Sequence, residues 1–112
     1  MSLNVFGRTL ATSTGAGTGR QHNPNHHVAI TIGSAFKGGV VGGVAPFTGS
    51  GGDYGAVPID SKTGAGSSSG DVSPGASLAS WGSTMLAAVG IDSTTIAQEI
   101  PSGTVISGAL AV

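Results

Sequence analysis

Gly19-Arg20-Gln21-His22-Asn23-Pro24-Asn25-His26-His27-Val28-Ala29-Ile30-Thr31-Ile32 is a polar corner that runs into an apolar strand. β-Branched residues dominate Val28 to Ile32, and Gly33-Ser34 closes the run. Four of its five residues are apolar, which places the strand in a sheet interior. The corner before it holds all three histidines of the chain, His22, His26 and His27. Arg20 is one of only four basic residues. On a helix, His22 and His26 would share a face. Pro24 disfavours the α conformation at Asn23. The spacing therefore reads as a turn, with Asn23 and Asn25 supplying local backbone hydrogen bonds. Which imidazoles the turn aims inward stays open.

Upstream, residues 2 to 6 suit a short strand that runs into Gly7-Arg8-Thr9. Functional residues of α/β proteins sit at such strand ends, and a simple chain terminus reads equally well. Thr9 to Gly19 is a small-residue connector. The dinucleotide fingerprint would need glycine where Arg20 stands, and neither lysine follows a glycine as a Walker loop requires.

Downstream, paired glycines flank Val40-Val41, which suits a tight bend over which another backbone or a ligand passes. Pro46 to Gly52 reads as a loop. Tyr54 to Ile59 reads as a short edge strand, because Pro58 argues against a central place. Residues 61–70 form a Ser/Gly-rich stretch expected to be a flexible surface loop. The main helix starts with Ser73 as N-cap and Pro74 as first helical residue. Leu78, Trp81, Met85 and Val89 recur at helical spacing, and Gly90 is a C′ stop. Trp81 and Met85 read as core anchors rather than a ligand box. Asp92 or Ser93 caps a second short helix through Ile96 to Glu99, ended by Pro101. Thr104 to Ile106 suits a last short strand.

The chain has 112 residues, room for one small domain, with a formal charge of −1. Four scattered basic residues leave no footprint for nucleic acid and no basic amphipathic face for a membrane. Glycine numbers 21 and aromatics are few, so a free-standing core looks marginal. Cysteine is absent, which removes disulfides and thiol chemistry. No apolar run is long enough to span a bilayer, and these residues carry no signal-peptide pattern.

Phe6-Gly7-Arg8-Thr9, Gly19-Arg20-Gln21-His22-Asn23, Lys37-Gly38-Gly39 and Val89-Gly90-Ile91-Asp92 occur in an order that resembles the C-terminal part of domain of unknown function 1501. That is a bacterial family placed with the alkaline phosphatase and sulfatase superfamily. The resemblance runs over residues 3 to 110. It implies an α/β fold: the C-terminal portion of a mostly parallel sheet, loop-rich, with one main helix. It also implies that residues 1–112 are either a single domain or a C-terminal fragment of a larger sulfatase-like domain. In that setting His22 matches a late histidine that completes a metal site, with zinc the expected ion. Arg8 and Arg20 would bind the substrate anion. The family pattern has Ser-Glu where Asn4 and Val5 stand, and Asp where Gln21 stands. Both changes remove negative charge that would hold a cation.

The reading from resemblance is a metal-dependent phosphate or sulfate ester hydrolase in a longer parent, with this chain alone inactive. Its partners would be the remainder of the parent or another copy of the chain, and a small anionic ester. Relatives are commonly exported, so a periplasmic location is expected. The alternative is a non-catalytic Gly/Ser-rich binding or assembly module, which low charge and missing acids favour.

Overall fold

The computed structural model describes residues 2–3, 7–12, 19–47 and 53–111. The chain divides into two compact units, residues 1–31 with 44–56 and residues 32–43 with 57–112.

The first unit is built of two-stranded antiparallel ladders. β1 (Ser2–Leu3) pairs with β4 (Ala29–Ile30), matching Ser2 to Ile30 and Leu3 to Ala29. β2 (Gly7–Thr12) pairs with β3 (Arg20–Asn23), matching Gly7 to Asn23, Arg8 to His22 and Thr12 to Arg20. The register slips between Arg8 and Thr12, where β2 spends more residues than β3. Such a bulge bends the hairpin and deepens its twist. β5 (Val44–Pro46) pairs with β6 (Tyr54–Ala56), and the ladder closes with Phe47 N–H donating to Asp53 O at 3.2 Å.

The expected mostly parallel α/β sheet is therefore not what forms. Every ladder is antiparallel and two strands wide. Among the described residues, parallel pairing is confined to a single Gly42–Ala65 bridge. Parallel neighbours need a crossover of a dozen or more residues, usually a helix. No helix precedes residue 74 among the described residues. β2–β3 and β5–β6 instead pair neighbours in the chain, and β1 pairs antiparallel with β4 across the β2–β3 pair.

The Val28–Ile32 strand is corrected in the same way. Only Ala29 and Ile30 pair, and Val28, Ile30 and Ile32 are 57%, 62% and 90% exposed. An apolar run records a tendency to be covered; it does not supply the cover. The strand expected from Tyr54 to Ile59 ends at Ala56. Residues 4–6, residues 13–18 of the small-residue connector and residues 48–52 of the expected loop lie outside the described residues, and residues 9–12 of the connector belong to β2.

The second unit has a small core of Val72, Ile106 and Ala109, with Val41, Ile59, Ala76 and Trp81 packed on it. Trp81 also meets Phe36, the ring centroids 5.8 Å apart. A loop from Ile59 to Val72 is clamped at its base, Ile59 and Val72 exchanging backbone bonds of 2.8 and 3.0 Å. Two aspartates organise its interior. Asp60 Oδ1 accepts from the backbone of Lys62 and Thr63 and from Thr63 Oγ1. Asp71 accepts from Ser61 Oγ at 2.7 Å and Ser61 N at 2.8 Å. Hydrogen bonds led by the Thr63 backbone hold the Asp60 carboxyl below its ordinary pKa, and bonds led by the Ser61 hydroxyl do the same for Asp71.

Pro74–Ala76 forms one tight turn before α1 (Ser77–Ala88), so the α-helix proper begins three residues after Pro74. Ser73 is extended and makes no side-chain capping bond. Gly90 ends the helix as expected. Its φ is +86°, Ile91 N–H donates to Leu86 O at 3.1 Å and Gly90 N–H to Ala87 O at 3.0 Å. These two bonds are the Schellman pair. Asp92 caps α2 (Ser93–Glu99) by accepting from Thr94 N and Thr95 N at 3.0 Å each. The Thr95 hydroxyl, at 2.7 Å, is the main cause that lowers the Asp92 pKa.

The expected apolar face of α1 is buried only in part: Trp81 packs on the core, but the fully buried positions are polar ones. Ser80, Ser83 and Thr84 are fully buried, whereas Leu78 is 53% and Val89 74% exposed. Trp81 and Met85 are half-buried. The cause is the segment after α2. No ladder forms at Thr104 to Ile106, and that stretch lies against α1 instead. Thr104 N–H donates to Ser80 Oγ at 3.0 Å, and Ile106 N–H to Thr84 Oγ1 at 2.8 Å. Positions i and i+4 of a helix are separated by about 6 Å along its axis. Alternate residues of an extended chain are about 6.7 Å apart. The two hydroxyls thus match two successive inward N–H groups, and the helix side chains take the place of a partner strand. No helix of the described residues is long and apolar enough to cross a membrane.

Candidate functional site

The chemistry-bearing residues of the corner gather on the β2–β3 hairpin. Arg8 and His22 are direct cross-strand partners. Opposed residues of an antiparallel pair project to the same face, with Cβ atoms about 5 Å apart. Arg20 lies two residues before His22 on the same strand, so it shares that face. All three are exposed.

The two arginines are laced across the ladder. Arg20 Nη1 donates to Thr9 O at 2.8 Å, and Arg8 Nη1 to Arg20 O at 3.4 Å. Gln21 N–H donates to Thr9 Oγ1 at 3.0 Å. These bonds restrict the arginine stems without consuming their charge, since a guanidinium stays protonated and carries five donors. The sequence places no Asp or Glu anywhere in residues 1–52. Asp53 is the one acid belonging to this unit. The hairpin is thus a locally cationic face on a protein whose overall charge is −1.

The turn that holds this face is fixed from inside. Asn23 is fully buried. Its Nδ2 donates to Tyr54 O at 2.8 Å, and its Oδ1 accepts from Asn25 N at 3.0 Å. Asn25 O accepts from Ala56 N at 2.8 Å, tying the turn to β6 a second time. The local half of this arrangement, Asn23 to Asn25, follows from an Asn-Pro-Asn sequence. The long-range half does not, because nothing in the sequence names Tyr54 as the acceptor.

His26 is placed by the same strand. Its Nδ1 lies 3.3 Å from Tyr54 O, a hydrogen bond in the tautomer that carries the proton on Nδ1. Its backbone O accepts from Gly7 N at 2.8 Å. The imidazole edge lies where a Gly7 side chain would stand, so any Cβ there would have to displace the ring. Successive residues of a strand face opposite sides, so the His26 ring and the Arg8–His22 pair lie on opposite faces of β2.

The structure therefore separates the histidines that the sequence groups together. His22 sits with two arginines, His26 packs against Gly7, and His27 is exposed. Among the described residues, no three His, Cys, Asp or Glu side chains converge in a way that could hold a metal ion. For zinc, His22 alone supplies one nitrogen ligand, and the residue facing it is a cation. What the hairpin offers by itself is hydrogen-bond donors and positive charge.

No family model, curated protein or solved structure matches this chain.

Proposed function

We propose that the β2–β3 face binds the phosphate or sulfate group of a small ester, as the anion-recognising part of a metal-dependent ester hydrolase. The observation that carries the reading is Arg8 opposite His22 with Arg20 laced beside them, in a half of the chain that contains no acid before Asp53. Guanidinium groups suit tetrahedral oxyanions because their paired donors match two oxygens at once. The ordered motifs around Gly7-Arg8 and Arg20-Gln21-His22 supply the ester-hydrolase part of the proposal. Zinc at His22 belongs to that part, with its other ligands drawn from a longer parent.

The test is a titration of inorganic phosphate and inorganic sulfate followed by backbone amide shifts. Wild type should show saturable shifts at Arg8, Arg20 and Gln21 that weaken with added salt. Arg20→Gln should lower affinity by about fivefold, corresponding to about 1 kcal/mol for an exposed charge pair. Equal binding by wild type and an Arg8→Gln, Arg20→Gln double variant would remove the face from consideration. Zinc titration of wild type against His22→Ala reads the metal separately. Identical heats would take His22 out of any metal site.

A second reading, a non-catalytic assembly module, is favoured by the outward Leu78 of α1 and Val89 just past its end. Exposed apolar side chains mark a surface that gains by being covered. Concentration-dependent sedimentation that disappears in Val89→Gln would support it.

A further inference from the structure

We draw no further inference here: the strongest candidate, the outward Leu78 of α1 with Val89 just past its end, is an unpartnered apolar face, and nothing in the structure shows what covers it.

Discussion

Replacing Thr84 with valine keeps the branching of the side chain and removes its oxygen. In the folded protein that oxygen accepts from the buried Ile106 N–H at 2.8 Å and donates to Ser80 O at 2.7 Å. Ser80 O loses only one of its donors, because the helix ladder still serves it. Ile106 N–H loses its partner outright while its side chain stays fully buried. An orphaned buried donor costs about 1–3 kcal/mol. Valine and threonine differ little in helix propensity, so the backbone contributes almost nothing to the difference. The expected loss is about 2 kcal/mol, or roughly 10 °C in Tm for a chain of this size. Val89→Gln is the matched control on the opposite face. Val89 is 74% exposed, so removing its apolar character costs about 0.5 kcal/mol. Urea unfolding followed by the fluorescence of Trp81, the sole tryptophan, reads both variants on the helix that carries them. A Val89→Gln variant more destabilised than Thr84→Val would refute the buried hydroxyl face. That order would mean the apolar stripe is the buried face and the hydroxyl face is not.

Other predictions concern the turn, one glycine and the carboxylates. Asn23→Ala removes the bonds to Tyr54 O and Asn25 N from a fully buried position and should cost about 2 kcal/mol, seen as faster hydrogen exchange at the Asn25 and Ala56 amides; unchanged exchange would dismiss the anchor. Gly7→Ala drives a methyl into the His26 ring and should displace the imidazole from Tyr54 O, so the His26 ring resonances should shift while those of Trp81 stay put. Asp60, Asp71 and Asp92 all have folded pKa values below the ordinary aspartate value. A depressed carboxylate contributes stability that is present above its unfolded pKa of about 3.9 and is lost as pH falls through the folded value. Urea midpoints should therefore hold from pH 7 to about pH 5 and fall below about pH 4. Asp71→Asn should flatten part of that acid limb, and an unaltered limb would count against the Ser61 bonds as its source.

The parts of this fold that were legible in the sequence are those set by neighbouring residues. Asp92 caps α2 because a carboxylate at that position meets the orphan N–H groups two and three residues on. Gly90 stops α1 because the Schellman turn requires a positive φ. The Asn23-Pro24-Asn25 turn is local in the same sense. Of the helical stripe, Trp81 packs on the core as expected, whereas Leu78 and Val89 face outward. Periodicity records which residues share a face. The buried side was decided by Thr104 and Ile106, whose N–H groups found Ser80 and Thr84, residues more than twenty positions away.

The candidate site divides along the same line. Arg8, Arg20 and His22 stood out as the few basic and imidazole groups in a glycine-rich chain. Their sharing of one hairpin face required the Arg8–His22 register, and the exclusion of His26 from that face required its ring to lie on Gly7. The sequence alone determined the Asp92 cap, the Gly90 stop, the Asn23 turn and where charge is absent, because each depends on atoms within a few residues. Tertiary structure alone decided strand direction, helix facing and which cations meet. Those depend on which distant backbone group satisfies a donor or covers a surface, and a buried donor left unmet costs more than any local preference can return.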